Sequence, residues 1–516
     1  MAGAPEDALM ERAARGVADA VVRLGGGSSS VVALVGGGDN GGDALMAAAM
    51  LAEGDVAVRV ALLSDHPHAR GLARAHAAGV DVRSLALPPE AGVVPDWMCA
   101  DLWIDGLTGT GLSGALREPL ASTVRALAVS ARAWGTRVVA VDVPSGSCTA
   151  DGTLTGAVLP ATHTVTMGAL KTGLVLPPAA LEAGTLEVVD LGLDMGAGPD
   201  GALGAWRPEI GDVAAALVVP GPHDHKYARG VVTIAAGSGT YPGAGVLAVE
   251  GALGVGPGMV RLESESPVAA LVLARHPGVV TMSGRSQAVV IGSGLDTSTA
   301  PRARAIAESA EASGLPVVLD AGALALVPAL LGSRGRLPGA VLTPHAGEAA
   351  SLLAELTGTA VTRGEVEAAT LDALRRLVEL TGATVVLKGA VTLVGGVDGR
   401  VLSVDGGPGW TGVAGAGDVL AGIVGGLAAQ GRAREELGGD PVDLPATAAC
   451  AVWIHARAAA SASGVGPDEG GRVAHPGHPI EAEDIARAIP KVVAEVIEAG
   501  LARRAAERAE VWRSRA

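Results

Sequence analysis

Short apolar runs that stop at glycine and carboxylate recur along this chain, and they constrain its fold more than any other feature. Val31-Val-Ala-Leu-Val35 runs into Gly36-Gly-Gly-Asp-Asn-Gly-Gly-Asp43, helix-forming sequence follows from Ala44 to Ala52, and a second run spans Val58 to Leu63. An unbroken apolar run marks a strand buried on both faces of a sheet. Strand, glycine loop, helix and strand together predict a right-handed βαβ unit. The pattern returns at Asp101-Leu-Trp-Ile-Asp105, which runs into Gly106 to Gly114, and at Arg137-Val-Val-Ala-Val-Asp142, which runs into Val143-Pro-Ser-Gly146. Later it returns at a run ending in Ile291-Gly-Ser-Gly294 and at Val231 to Ala235, Val317 to Asp320, Val341-Leu-Thr-Pro-His345 and Val385-Val-Leu-Lys-Gly389. With 516 residues the chain is predicted to be an α/β protein of more than one domain.

Open α/β sheets bind ligands beyond the carboxyl ends of their strands. Three strand ends in the first half therefore offer Asn40, Asp43, Asp105, Asp142 and Ser145 to one crevice. Each of these alone reads as a turn former or helix cap, and the glycine cluster alone as a tight turn. Three loops of the same character point instead to a ligand site. Asp142, just past a buried strand, is the candidate for proton transfer, because desolvation raises a carboxyl pKa. In the second half, Val413-Ala-Gly-Ala-Gly-Asp-Val-Leu-Ala-Gly422 reads as a glycine turn opening a helix, with Asp418 in its first turn. Helix N-terminal N–H groups attract phosphate. A carboxylate among them would repel an anion, so Asp418 is read as a base or a metal ligand. Lys388 closes an apolar strand and has an anion as its natural partner. His345 stands at another strand end, whereas His223-Asp-His-Lys226 lacks metal-ligand spacing and is equally a solvated loop.

A formal net charge of −16 argues against a nucleic-acid partner. Three scattered cysteines, Cys99, Cys148 and Cys450, suit a reducing compartment. The acidic start (Glu6, Asp7, Glu11) is unlike a signal peptide, and glycines and prolines interrupt the apolar stretch from Val231 to Val260. A soluble, cytoplasmic homo-oligomer without nucleic-acid or membrane partners is expected. The chain has no Phe, so Ala, Val and Leu must fill its interior. Gly192 to Gly211 reads as a linker and Ala502 to Ala516 as a solvated tail. The expected division is 1–205, 212–500 and a charged tail at 501–516.

Three motifs of the first half, Gly-Gly-Asp39-Asn40-Gly-Gly-Asp43, Asp105-Gly-Leu-Thr-Gly-Thr-Gly-Leu-Ser-Gly114 and Val141-Asp-Val-Pro-Ser-Gly146, stand in this order before His163 to Leu174. As a set they resemble the NAD(P)H-hydrate epimerase domain over about residues 9–195. The resemblance implies a Rossmann-like fold that interconverts the R and S forms of hydrated NADH and NADPH. It implies a potassium ion held by Asn40, Asp105 and Ser145. It also implies substrate contacts at Asp39, Asn40, Gly41, Gly42 and Asp43, at Gly109, Thr110, Gly111, Leu112, Ser113, Gly114 and Ala115, and at Asp142. Asp39 stands where that family usually has Asn, and Thr108 where it usually has Phe.

In the second half, His225-Lys-Tyr-Ala-Arg-Gly230, Tyr241-Pro-Gly-Ala244, Gly292-Ser-Gly294, Thr343-Pro-His-Ala-Gly-Glu348, Leu387-Lys-Gly-Ala390 and Gly415-Ala-Gly-Asp-Val-Leu-Ala-Gly422 resemble the ADP-dependent NAD(P)H-hydrate dehydratases. That likeness runs over about residues 212–492. It implies a ribokinase-like α/β domain in which Ala244, Gly294, His345 and Asp418 meet the hydrated nicotinamide nucleotide. Lys388, Gly389, Ala390, Val391, Thr392 and Gly417 would hold the adenine nucleotide. ADP is the implied co-substrate, with magnesium, and Asp418 the implied base. Gly322 replaces a usual Asp, and Ala416 a usual Thr. The competing expectation is a ribokinase-like small-molecule kinase with a non-catalytic nucleotide-binding N-terminal domain.

Overall fold

Val31–Val35 (β1) alternates its side chains between two apolar clusters. Val31, Ala33 and Val35 pack with the helices Glu6–Gly25 and Asp39–Glu53, while Val32 and Leu34 pack with the helix Leu120–Trp134. Both faces of the sheet are thus covered, which is why the run carries no polar residue. The computed structural model describes residues 6–25, 29–112, 114–193, 204–295, 299–467 and 474–515. Two units are compact in themselves, the first ending at Ala202 and the second beginning at Leu203.

In the first unit β1 is joined by β2 (Val58–Leu62), β3 (Asp81–Ser84), β4 (Leu102–Gly106), β5 (Arg137–Val141), β6 (His163–Met167) and β7 (Thr185–Val189). All pairings are parallel, in the order β3-β2-β1-β4-β5-β6-β7. This is a Rossmann-like order whose direction of winding switches between β1 and β4, where such sheets open a crevice. The helix after β1 starts at Asp39, not at Ala44 as expected. Asp39 to Asp43 therefore form its first turn. Gly41 is required there, because a Cβ would collide with the Gly36 carbonyl oxygen.

The second unit adds β8 (Ala205–Trp206), β9 (Val231–Ala235), β10 (Met259–Leu262), β11 (Ala288–Ile291), β12 (Val317–Leu319), β13 (Ala340–Leu342), β14 (Thr384–Leu387), β15 (Val391–Gly395) and β16 (Val401–Asp405). Their order is β10-β9-β11-β12-β13-β14-β15-β16-β8, with β15 antiparallel to both neighbours and the other pairs parallel. Ala205 and Trp206, in the expected linker, pair with Val401 and Leu402 at the sheet edge. The helices Pro242–Gly254, Ala416–Glu436, Leu444–Ser463 and Ala482–Arg515 supply much of the main core. The last of these runs through the expected solvated tail. Ala, Arg and Glu are strong helix formers, so the alternating segment extends the helix. The helices Pro242–Gly254 and Ala416–Glu436 touch backbone to backbone: a Cβ on Gly422 would collide with the Ala248 carbonyl, and one on Gly251 with that of Val419. Among the described residues no helix is long and apolar enough to cross a membrane.

Candidate active sites

At the switch point of the first unit, Asp105 ends β4 fully buried. Its Oδ1 accepts from Ser145 Oγ at 2.6 Å and Leu107 N at 3.2 Å, and its Oδ2 from Ser145 N at 2.9 Å. Burial outweighs these bonds and lifts its pKa to about 6. Thr108 N donates to Ser145 Oγ at 2.9 Å, and Asn40 Nδ2 donates to the carbonyls of Thr108 (3.3 Å) and Val141 (2.5 Å). The three residues expected to hold potassium are therefore joined, Asp105 to Ser145 directly and Asn40 through Thr108. No cationic side chain pairs with Asp105 among the described residues. A buried carboxylate set among hydroxyl and amide oxygens suits a hard cation.

Asp142 follows β5 with φ at +68°, in the left-handed region. A non-glycine residue there is strained by about 1 kcal/mol or more and persists where its surroundings hold it. Three donors do so. Thr166 Oγ1 and Met167 N each lie 3.0 Å from Asp142 Oδ1, and Lys171 forms an ion pair with the same oxygen. Lys171 also donates to the Met167 carbonyl at 2.8 Å. Desolvation also lifts Asp43, in the first turn of the helix after β1. It is 8% exposed, and burial first, then the charges of Asp142 and Asp39, raise its pKa to about 7. The expected proton-transfer group is thus ion-paired, and its neighbour in the helix turn is the perturbed acid. Lys171 was missed as a site residue because it lies past β6, in a loop without a glycine-carboxylate ending.

Gly109, Thr110, Gly111, Leu112, Gly114 and Ala115 lie on the loop beyond β4, and a Cβ on Gly109 would collide with the Asn40 side-chain oxygen. Ser113 lies outside the described residues.

In the second unit Asp418 stands in the first turn of the helix Ala416–Glu436, as its spacing from the glycines predicts. Ser293 Oγ donates to its Oδ1. Its pKa is raised to about 6: burial lifts it, the Ser293 bond opposes, Asp320 adds to the rise and Lys388 opposes it. Lys388 Nζ lies 2.9 Å from Asp320 Oδ1 and 3.8 Å from Glu348 Oε2. Asp320 is 2% exposed and also accepts from Thr343 Oγ1 at 2.6 Å. The anion expected beside Lys388 is thus, in this structure, a carboxylate of the protein. A Cβ on Gly417 would stand 3.4 Å from Lys388 Nζ, which places this turn beside the ammonium.

His345 is the N-cap of the helix Ala346–Thr357. Its Nδ1 accepts from Gly347 N (3.0 Å) and Glu348 N (3.1 Å), while Glu348 Oε2 accepts from His345 N (2.8 Å). Only its Nε2 edge remains for a ligand. Ala244 sits in the first turn of Pro242–Gly254, and Gly294 lies against Gly237 at the end of β11. Gly389 and Ala390 turn the chain from β14 into β15, where Val391 and Thr392 are buried and Thr392 Oγ1 donates to the Gly389 carbonyl at 3.2 Å. Ser293 and Asp320, partners of Asp418 and Lys388, were quoted within motifs but given no role by the sequence.

Comparison with known proteins finds one family match in each unit. Residues 6–173 match the family described as YjeF-related protein N-terminus, and residues 232–465 match the family NAD(P)H-hydrate dehydratase. The bifunctional NAD(P)H-hydrate repair enzyme Nnr of Mycobacterium leprae is 39% identical over 489 residues, covering 91% of this chain and 92% of its own. That of Mycobacterium tuberculosis (strain ATCC 25618 / H37Rv) is 40% identical over 449 residues, covering 84% and 86%. A solved ADP/ATP-dependent NAD(P)H-hydrate dehydratase from Bacillus subtilis, co-crystallised with ATP and Mg2+, matches 57% of this chain and 100% of its own, at 25% identity and a TM-score of 0.46. With both family matches on one chain and full-length relatives at this identity, the chain belongs to the bifunctional NAD(P)H-hydrate repair enzymes.

Proposed function

We propose that the first unit interconverts the R and S hydrates of NADH and NADPH, and that the second dehydrates the S form, converting ADP to AMP and phosphate. The observation that carries the reading is Asp418, a perturbed carboxyl at a helix N-terminus beside Lys388. The ring hydroxyl of a hydrate is a poor leaving group. Asp418 takes its proton as the oxygen attacks the terminal phosphorus of ADP, and the bond to AMP breaks. Lys388 and the N–H groups of the turn offset the developing charge. The phosphorylated oxygen then leaves with its electron pair, the ring nitrogen's lone pair forms the C=N bond, and loss of a ring proton restores NAD(P)H. Among the described residues no three His, Cys, Asp or Glu side chains converge as a metal set. A magnesium ion brought with the nucleotide would stabilise the transferring phosphoryl group.

In the first unit, Asp43 protonates the hydroxyl, which leaves as water while the ring nitrogen forms C=N. Water then adds to the other face and yields a proton to Asp142, which Lys171 holds in place. Asn40, Asp105 and Ser145 would hold potassium, whose charge neutralises the buried Asp105. The test is recovery of NADH absorbance from a mixed R and S hydrate pool given ADP. Full recovery supports both units and recovery of the S fraction alone supports only the second. A stable phosphorylated product without NADH would establish the kinase instead.

A further inference from the structure

Asp320 follows the buried strand β12 and is 2% exposed. A carboxylate so enclosed is costly unless donors and a cation compensate it. Its Oδ1 has both: Thr343 Oγ1 at 2.6 Å, from the end of β13, and Lys388 Nζ at 2.9 Å, from the end of β14. Its Oδ2 lies 4.0 Å from where a Cβ on Gly417 would stand. Thr343 is itself buried, and its N–H donates to the Leu319 carbonyl at 3.1 Å, so its hydroxyl is tied to the strand end that carries Asp320. Ala321, the next residue, has φ at +48°, a strained conformation for a residue with a Cβ. Lys388 carries its ammonium on a flexible four-carbon stem, and the fixed carboxylate holds that ammonium in one place.

Dehydration makes two conflicting demands on this edge of the sheet. Lys388 must stand beside the turn to meet phosphate, yet a cation there favours ionised Asp418 and weakens it as a base. Asp320 acts on Asp418 in the opposite sense. The groups around Asp418 are Ser293 after β11, Asp320 after β12 and Lys388 after β14, with Glu348 Oε2 3.8 Å from the ammonium. We propose that Asp320 is a positioning residue for dehydration, pinning the Lys388 ammonium beside the Gly417 turn and offsetting its effect on Asp418 from a buried position. The proposal rests on the dehydratase reading of this site.

It is tested in the full chain with Asp320→Asn, Lys388→Met, their double variant, Thr343→Val and Thr343→Ser, measuring kcat, both KM values, the pH profile of kcat and Tm. Asn keeps the size of Asp320 and removes its charge. Asp320→Asn should raise the KM for ADP and lower kcat, each about tenfold, since small misplacement at a reacting centre costs that much. The KM for the S hydrate and the R/S interconversion should hold. The inflection near pH 6 assigned to Asp418 should move down by about one pH unit in Asp320→Asn, up in Lys388→Met, and back towards the wild-type value in the double variant. Thr343→Val should move the ADP parameters in the same direction as Asp320→Asn, and Thr343→Ser, which keeps the hydroxyl, should not. A folded Asp320→Asn with its inflection or its KM for ADP unchanged overturns the proposal. If Asp320→Asn lacks a cooperative melt, equal ADP parameters in Thr343→Val and Thr343→Ser overturn it too. Failure of the wild type to form NADH would sink the dehydratase reading, and the proposal with it.

Discussion

Asp418 and Asp43 are both carboxyls lifted chiefly by burial, yet the proposed reactions ask opposite things of them. Asp418 must be ionised to accept a proton, so the dehydration kcat should rise with pH through about 6 and level off above it. Asp43 must be protonated to donate, so R/S interconversion should fall as pH rises through about 7. The two profiles, measured on one preparation, should therefore slope in opposite directions, and a common slope would remove one of the roles. Asp418→Asn should lower dehydration about 10²–10⁴-fold while leaving interconversion intact, as loss of a general base does.

The elements that hold these residues set their own limits. Asp418 is aimed by a helix that lies against Pro242–Gly254 with backbone contact at Gly422 and Gly251. Gly422→Leu should force the helices apart and cost about 1–3 kcal/mol or more. A lower Tm and a lower dehydration kcat should appear together; a melt unchanged from wild type would contradict the contact. In the first unit, the loops after β1, β4 and β5 meet at Asn40, Asp105 and Ser145. With the proposed potassium site there, replacing potassium in the buffer by choline should slow interconversion alone, because a buried carboxylate without a counter-ion would disturb only those loops.

Each of the two units has its own sheet and core, and the proposed reading gives one activity to each. Mixing Asp418→Asn with Asp43→Asn should restore full NADH recovery from an R and S pool that neither variant recovers alone. No restoration would mean that both reactions need one intact chain. Much of this organisation was legible in the sequence, since an apolar run ending in glycine and carboxylate names a strand and the end at which it does chemistry. Asp105, Ser145, Lys388 and Asp418 could be picked out that way because their local neighbours announce them. The first turn at Asp39 to Asp43 could not, because glycines read locally as loop while tertiary packing against Gly36 makes them helix. Lys171 sits in a segment with no such signal, whereas Ser293 and Asp320 stand at the ends of such runs without anything local to name their partners. Which strands become neighbours, and hence which distant charges share one carboxyl edge, is set by non-local packing. That packing alone decided that Lys171 meets Asp142 and that Lys388 meets Asp320.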